Sequence, residues 1–402
     1  MQRGGRTSSL IPANPFDPRA RSDPYPVYQF MRTVEPVHAS RLGFWVLTRY
    51  ADCRAVLEDG RWSHDADAIL EPGRGALDPV DPTVRLLRAS LAFSDPPAHT
   101  AQRRTLELVV RKHMKSIPAS AQRVAKGLVK LMREKESADL IHDFAAPLPL
   151  VVLCDLIGIP PADRATVQRW GRELAGGLDP AIRAMGVLNA GAAAAAMVEY
   201  MLDRIEAARA GSGSGLIAEL GAVPGTIRTW ELIADLTAVF VIGVEAASGL
   251  IGNGALALLR HPEQLEELRR RPALIESGIE ELIRFDGPVH LTARVATEDL
   301  DIGGTPIPAG GQAVIVLAAA NRDPAHFTDP DRLDLSRQEN DHLGFGAGTH
   351  GCFAAPLARV LASTAIMALA TELPGLALSG DPEWLNSVTL RGLSHLPVAY
   401  DR

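Results

Sequence analysis

The sequence predicts a mainly α-helical protein with a small β-rich lobe. Apolar segments of helical length recur along the chain, and the longest of them is Glu231–Leu259. β-branched residues bounded by glycine or proline turns indicate strands in two stretches, Gly43–Thr48 and Pro288–Gly310. Because no Ser/Gly linker or long block of charge divides the chain, we expect a single domain over residues 1–402, with residues 1–16 as an extended N-terminal lead-in.

Composition and charge narrow the class of protein. The net charge is −7, whereas a nucleic-acid-binding protein is usually basic, so we expect no nucleic-acid partner. The three scattered cysteines do not form a disulfide framework, which favours a reducing compartment. The N-terminal residues lack the apolar core of a signal or anchor segment. We therefore expect a cytoplasmic protein with no membrane anchor.

The first half of the chain contains short elements followed by longer helices. Pro26–Val34 predicts a helix, Gly43–Thr48 a strand and Tyr50–Glu58 a second helix. Glycines and prolines across Trp62–Pro82 predict a long irregular loop, and loops of this length are usually functional. The helices expected after it are Gln122–Glu136, Ala145–Ile157, Asp163–Leu178 and Val187–Arg209.

The segment Glu231–Leu259 is long enough to span a membrane, but its composition favours a different interpretation. Its many glycines, and the lack of basic flanks or an aromatic belt, favour a helix buried in the middle of a large domain. From Leu236 onward its only charged side chain is Glu245. Because a buried carboxylate is costly without a partner or a chemical role, Glu245 is a candidate functional residue.

A glycine-rich stretch near the C-terminus carries the clearest chemical signal; we call residues 345–354 the cysteine loop. Its glycines allow the backbone to approach a flat ligand closely, and Cys352 follows them at the start of an apolar helical run, where backbone N–H groups favour a thiolate. As a nucleophile Cys352 would need a base, for which His350 is the nearby candidate. As a metal ligand it has no local cysteine partner. That argues against structural zinc and suits a metal whose other ligands come from a macrocycle, as in cysteine-ligated haem.

The cysteine loop resembles the haem-binding loop of the cytochrome P450 family. The matching residues are Phe345, Gly346, Gly348, His350, Cys352, Leu357, Ala358 and Arg359. Ala354 stands where the family usually has a glycine, and it is small enough for the helix to pass under the ring. The resemblance implies a triangular prism of helices enclosing one haem b, with Cys352 as the metal ligand. It also implies cofactor contacts from Phe345, Gly346 and Ala354.

Further motifs extend the resemblance from about Asp17 to the C-terminus. The pattern DPPxHTxxR, which contains His99 and Arg103, resembles the family helix whose His and Arg bind haem propionates. The resemblance implies that Arg294 and His350 are the other propionate partners. These four side chains would neutralise charges that are otherwise buried.

Glu281 and Arg284 resemble the structural ExxR pair of the family. That pair locks with an arginine from a later irregular segment, and the candidate here is Arg332 in the sequence DPDRLD. The three residues are expected to hold the cysteine loop in place. The tail, Arg391–Val398, resembles the hairpin that closes the fold.

The long apolar helix resembles the one that crosses the oxygen-binding side of the haem. The family's small-Gly-x-acid-Thr motif matches Ile242, Gly243, Val244, Glu245 and Ala246. The resemblance implies that Glu245 and Ala246 are the catalytic positions, with Glu245 as the proton-delivery group. Because Ala246 lacks the usual hydroxyl, either ordered water with Glu245 or a hydroxyl of the substrate must relay the proton. The expected substrate-pocket residues are Ala238, Val241, Ile242, Val289, His290 and Thr292.

The resemblance implies a haem-thiolate monooxygenase that oxidises a small organic molecule. Electrons would come from a ferredoxin or flavodoxin with its reductase. Secondary-metabolite biosynthesis is the expected setting, and a substrate bound to an acyl or peptidyl carrier protein is a further option. Two alternatives remain open, a peroxide-driven haem-thiolate oxidase and a non-catalytic haem sensor. The expected basic docking face consists of Arg103, Arg104, Lys112, Lys115 and Arg359.

Overall fold

The computed structural model describes residues 20–70, 80–135, 137–178, 190–221 and 228–401, and confirms the mainly α-helical class with a small β-rich lobe. Its α-helices are Tyr25–Val34, Tyr50–Glu58, Ala66–Leu70, Pro82–Ala89, Ala98–His113, Ile117–Arg133, Pro147–Ile157, Arg164–Leu178, Ala190–Arg209, Gly215–Gly221, Thr229–Arg260, Pro262–Arg270, Ile275–Asp286, Leu317–Ala320 and Ala355–Glu372. Short 3-10 turns lie at Leu91–Phe93, Pro161–Asp163, Pro272–Leu274 and Gly348–His350, and a π-helical turn lies at Ile141–Ala145.

A five-stranded mixed sheet forms most of the β-rich lobe. Its strands lie in the order Val37–Ala39, Trp45–Leu47, Gln312–Val316, Leu291–Ala296 and Trp62–Ser63. The second and third of these run parallel, and the other neighbours are antiparallel. The smaller sheets pair Leu300–Ile302 with Thr305–Ile307, Glu383–Trp384 with Leu393–His395, and Pro397–Ala399 with both Ala138–Asp139 and Ala377–Leu378. The strand that carries Arg294 is therefore fixed by a neighbour on each side.

The long helix, Thr229–Arg260, lies in the core of the helical part. Glu231 closes its first turn, because its side chain accepts a hydrogen bond from the Arg228 backbone N–H at 3.1 Å. Most of its residues are buried, and Pro147–Ile157 and Ala355–Glu372 are among the helices that pack on it. The helix is long and apolar enough to cross a membrane, but its burial among other helices is that of a core helix.

A buried ion pair anchors the chain ahead of the cysteine loop. The side chains of Glu281 and Arg284 are both 0% exposed, and Arg284 Nε donates to Glu281 Oε2 at 2.7 Å. The arginine that joins them is Arg337, whose Nε lies 3.0 Å from Glu281 Oε2. Arg332 contributes only its backbone carbonyl, which accepts from Arg284 at 3.3 Å. The prediction of Arg332 as the third side chain is therefore wrong.

The path of the backbone after Thr328 explains this difference. The Asp334 backbone N–H donates to Glu281 Oε1 at 3.0 Å, so the chain crosses directly over the buried carboxylate. Arg337 then reaches back, and it also donates to the Thr328 carbonyl at 2.9 Å. Arg332 is left exposed on the outside of this turn. Both arginines lie in one irregular segment, so sequence spacing alone does not distinguish them.

The stretch predicted as a loop, Trp62–Pro82, contains regular structure and is the clearest error of secondary structure. Trp62–Ser63 pairs with the five-stranded sheet, and Ala66–Leu70 forms a short helix. Asp65 starts this helix, because its Oδ1 accepts the Asp67 backbone N–H at 2.9 Å. Residues 71–79, like the lead-in at 1–16, lie outside the described residues.

Candidate functional site

The cysteine loop forms a tight backbone turn that requires glycine. Gly348 has a φ of 64°, and a Cβ at this position would lie 2.4 Å from the Leu57 carbonyl oxygen. The Cys352 backbone N–H donates to the Phe345 carbonyl at 2.8 Å, which closes the loop. The chain then enters the helix Ala355–Glu372. Cys352 is thereby fixed just ahead of a helix N-terminus.

Cys352 has a different environment from the other two cysteines. It is exposed, whereas Cys53 and Cys154 are buried. Desolvation by the surrounding protein atoms raises the pKa of the Cys352 thiol, and hydrogen bonds from the backbone N–H groups of Ala354 and Ala355 oppose that rise. A metal bound at this sulfur would deprotonate it outright. The thiol is therefore accessible and placed among donors that stabilise its anion.

Basic and imidazole side chains converge beside the cysteine loop. His99 lies on the helix Ala98–His113, and its ring centroid lies 4.3 Å from that of His350. One turn further along the same helix, Arg103 Nη1 donates to the carbonyls of Thr349 and Gly351 at 3.0 and 2.6 Å. The structure thus brings three predicted cofactor residues together, and Arg103 also supports the loop backbone.

Arg294 is a buried cation without a carboxylate partner. Arg294 is 3% exposed, and no acidic side chain among the described residues forms an ion pair with it. Its Nη1 donates instead to Thr292 Oγ1 at 3.2 Å and to the Ala293 carbonyl at 2.7 Å. Desolvation lowers the pKa of Arg294 to about 10, and the charge of Asp95 only partly opposes this. Because an unpaired buried charge is costly, this position suits an anionic ligand.

His64 and Asp95 belong to the same cluster, although the sequence did not identify either as a site residue. The ring centroid of His64 lies 5.1 Å from that of His350. Asp95 accepts the His64 backbone N–H at 2.9 Å and lies 3.7 Å from His350 Nε2. Burial together with the positive charge of Arg294 lowers the pKa of His350 to about 4, and that of His64 well below its ordinary value. His64 lies in an irregular segment, where no regular spacing to another residue marks it as functional. Only the folded structure shows that it lies beside His350.

These donors fit the two propionates of haem b. The Nδ1 atoms of His64 and His99 are buried, and neither has a hydrogen-bond partner among the described residues. Arg294 likewise has no counterion there. Two carboxylates beside the cysteine loop would satisfy these groups, and Cys352 of the same loop would supply the thiolate ligand of the metal. The donor set therefore supports a dianionic, thiolate-ligated cofactor.

An apolar cleft, partly open to solvent, lies along the long helix. Three residues predicted to line a substrate pocket, Ala238, Val241 and Ile242, line this cleft. The remaining lining residues are Thr83, Leu86, Leu87, Ser90, Phe93, Leu174, Ala234 and Thr237. The lining is mostly aliphatic, which suits a largely apolar molecule.

Glu245 and Ala246 follow the cleft-lining Ile242 by one helical turn. Desolvation raises the pKa of Glu245, and the positive charge of Arg172 opposes that rise. Ala246 offers no hydroxyl. The next hydroxyl on the helix, that of Ser248, donates to the carbonyl four residues earlier at 2.7 Å and is therefore engaged. Glu245 is thus a titratable group one helical turn beyond the cleft-lining Ile242.

His290 does not line this cleft but lines a second cavity beside the C-terminal segment, so its contact with a substrate stays a prediction. It is 3% exposed, its Nδ1 lies 3.2 Å from the Tyr28 hydroxyl, and its Nε2 lies 3.8 Å from Asp286 Oδ1. The strand that carries Thr292 and Arg294 begins only at Leu291, so the alternation of side chains along it does not extend back to His290.

Val289 and Thr292, the other two pocket residues predicted in this segment, flank His290. Val289 forms an isolated β-bridge with Leu390 of the C-terminal segment. Thr292 Oγ1 accepts a hydrogen bond from Arg294, so it lies on the strand face that carries this arginine. Their contact with a substrate stays a prediction.

A second carboxylate on the long helix, Asp235, was not expected to matter. It is 1% exposed, and its Oδ1 accepts the Leu91 backbone N–H at 2.6 Å. This bond fixes the 3-10 turn Leu91–Phe93, whose last residue lines the cleft. Desolvation raises the pKa of Asp235 to about 7. Like Glu245, Asp235 is an acidic residue within the long apolar helix. It lies just before Leu236, where the stretch with Glu245 as its single charge begins.

Comparison with known proteins places the chain in a family. The profile of the family Cytochrome P450 matches residues 231–370. The chain is 35% identical over 397 residues to cytochrome P450 monooxygenase PikC of Streptomyces venezuelae, covering 95% of this chain and 92% of that protein. It is 34% identical over 396 residues to 6-deoxyerythronolide B hydroxylase of Saccharopolyspora erythraea, covering 94% and 96%.

Solved structures agree with the sequence comparison. P450BioI in complex with an acyl carrier protein that carries hexadec-9Z-enoic acid matches with a TM-score of 0.88 at 29% identity, over 95% of this chain and all of that chain. PksS, the cytochrome P450 of the bacillaene polyketide synthase of Bacillus subtilis 168, matches with a TM-score of 0.87 at 30% identity, over 97% of this chain. With this fold and this donor set, the chain belongs to the cytochrome P450 family of haem-thiolate monooxygenases.

Proposed function

We propose that the protein oxidises a small, largely apolar natural product at a haem b that Cys352 ligates. The observation that carries this assignment is the buried, unpaired Arg294 beside the cysteine loop. Haem with a thiolate ligand activates dioxygen with electrons supplied from outside, and the thiolate favours O–O cleavage. The residues proposed to hold the propionates are His99, Arg103, Arg294 and His350, and those proposed to contact the ring are Phe345, Gly346 and Ala354.

Glu245 is the residue that we assign to proton movement. Its raised pKa keeps a larger protonated fraction near neutral pH than an ordinary glutamate has, so it can donate a proton and be recharged. Ala246 brings no hydroxyl, so the proton passes through ordered water or through a hydroxyl of the substrate. Ile242 lines the cleft with a branched side chain. Its bulk limits how closely a substrate approaches on this side.

The cleft supports an apolar substrate with one polar handle. Its only polar lining residues are Thr83, Ser90 and Thr237 among those described. The relatives include a 6-deoxyerythronolide B hydroxylase and a polyketide biosynthesis cytochrome P450, which favours a secondary metabolite. A carrier-protein-bound acyl chain is the second candidate, because P450BioI has been solved with such a carrier.

The proposed electron donor is a ferredoxin or flavodoxin with its reductase. Within the predicted basic face, Arg104, Lys112 and Lys115 are exposed. Arg103, Lys112 and Arg359 form ion pairs with glutamates of this chain at 2.8, 3.2 and 2.6 Å, but Lys112 stays exposed. The three exposed cations are the docking face that we propose for an acidic partner. We further propose that the protein works as a single domain in the cytoplasm.

We test this function by measuring turnover with two oxidants, dioxygen with a reductase system and hydrogen peroxide. Ligands that shift the haem spectrum are first selected from polyketide lactones, their hydroxylated forms and acyl carrier proteins. Each is then incubated either with ferredoxin, reductase and NADPH, or with hydrogen peroxide, and products are identified by mass spectrometry. We expect one added oxygen atom, derived from labelled dioxygen, in the reductase reaction. Product with peroxide alone would establish the peroxide-driven alternative. Bound ligands without any product would favour a sensor.

A further inference from the structure

Two histidines and an aspartate meet at the surface, in a part of the fold that the haem site does not use. Asp139 ends the strand Ala138–Asp139, and His142 lies in the π-helical turn that follows it. His395 ends a strand near the C-terminus. One ligand atom from each of the three residues lies within 4.8 Å of the others. The cluster therefore joins two segments that are far apart in sequence.

Asp139 is held by the backbone in an orientation suited to a metal ligand. Its Oδ1 accepts the backbone N–H groups of Ile141, His142 and Leu396 at 2.9, 3.3 and 3.3 Å. The other oxygen, Oδ2, lies 2.6 Å from His395 Nδ1 and 3.2 Å from His142 Nδ1. One carboxylate oxygen is thus held by backbone donors, and the other is aimed at both imidazoles.

The donor set selects a class of cation. Two imidazole nitrogens and one carboxylate oxygen suit Zn²⁺ and its borderline neighbours Ni²⁺ and Cu²⁺, whereas Mg²⁺ and Ca²⁺ prefer oxygen ligands. Tetrahedral ligands about 2.0 Å from zinc lie about 3.3 Å apart. The His142 nitrogen already has this spacing from Oδ2, and the His395 nitrogen needs to move outward by about 0.7 Å. Both imidazoles are half exposed, at 53% and 48%, so they have room to turn.

We propose that Asp139, His142 and His395 bind one Zn²⁺ ion, with water in the fourth position. The ion would tie the turn after Asp139 to the C-terminal strands. The strand Pro397–Ala399 already pairs with Ala138–Asp139, so the site lies at the end of an existing ladder. Binding to the folded form alone would stabilise the attachment of the C-terminal segment to the helical part.

Zinc titration of the holoenzyme tests the site. Protein treated with EDTA and dialysed at pH 7.5 is titrated with zinc by calorimetry, and its thermal unfolding is recorded with and without the metal. We expect one ion per chain, a higher unfolding temperature with zinc, and an unchanged haem spectrum. His142→Gln and His395→Gln should each lower the affinity at least tenfold, because loss of even an outer-shell partner costs about 10- to 100-fold.

His113→Gln is the matched control. This histidine also pairs with a carboxylate, that of Glu219 at 2.8 Å, but belongs to no group of three ligands among the described residues. The control variant should bind zinc as the wild type does. Wild-type affinity in both site variants would overturn the proposal, as would an equal loss in the control. Because both site histidines are half exposed, the variants should fold normally, and far-ultraviolet circular dichroism checks this.

Discussion

Replacing Arg294 with methionine, which keeps the aliphatic stem, should weaken haem binding without destabilising the apoprotein. Burial lowers the pKa of Arg294 from arginine's ordinary value to about 10. At about 1.36 kcal/mol for each tenfold change in acid dissociation, this corresponds to roughly 3 kcal/mol of desolvation. A propionate that pairs with Arg294 recovers most of that cost. Losing the pair should therefore reduce haem affinity by roughly 100-fold.

The assay compares haem loss with protein stability. Haem loss is followed as transfer to excess apomyoglobin, and apoprotein stability is followed by urea unfolding. In the apoprotein the substitution removes an unpaired buried cation, so the free energy of unfolding should stay equal or rise. Arg228→Met, at a side chain 88% exposed before the long helix, is the control and should change neither quantity. Wild-type haem retention in Arg294→Met would refute the assignment of this residue to a propionate.

Three further changes test individual parts of the structure. Asp235→Asn should stabilise the protein more at pH 8 than at pH 5 in urea titrations. The pKa of Asp235, about 7, lies above that of an unfolded aspartate. The contribution of protonated Asp235 to the free energy of unfolding is therefore full below about pH 4 and is lost as pH rises to about 7, by up to roughly 4 kcal/mol. Equal effects of the substitution at both pH values would contradict this. Arg337→Ala should cost about 2 kcal/mol, the value of a hydrogen bond to a charged group, whereas Arg332→Ala should stay within about 0.5 kcal/mol; the reverse order would restore Arg332 as the partner. Ala246→Thr should lower peroxide release per NADPH consumed on a deoxygenated substrate analogue, and equal coupling of substrate and analogue in the wild type would leave the water relay through Glu245.

Features encoded by short spacing were predictable from the sequence. The cysteine loop, the helix that carries His99 and Arg103, and the pair Glu281 and Arg284 each depend on residues within one or two turns of each other. Such spacing fixes which side chains share a face whatever the rest of the fold does. The structure places all of these residues where the local patterns suggested.

Features that depend on distant segments were not predictable. Arg337 replaces Arg332 because the backbone crosses over Glu281, a path that no local pattern encodes. His290 does not line the cleft and contacts Tyr28, which is 262 positions away in sequence. His64 joins His99, His350 and Arg294 only because the strand just before it, Trp62–Ser63, pairs with the strand that carries Arg294. These contacts are set by how elements pack, and one sequence does not contain that information explicitly.

The identity of the iron ligand is the central claim, and the ferrous–CO spectrum tests it most directly. The wild-type holoenzyme should show the strongly red-shifted Soret band of a thiolate-ligated haem. Cys352→His should retain some haem but lose that band, because the proximal ligand sets the electronic state of the iron. An unchanged red-shifted band in Cys352→His, or a wild-type band at the position typical of imidazole ligation, would contradict the assignment of Cys352.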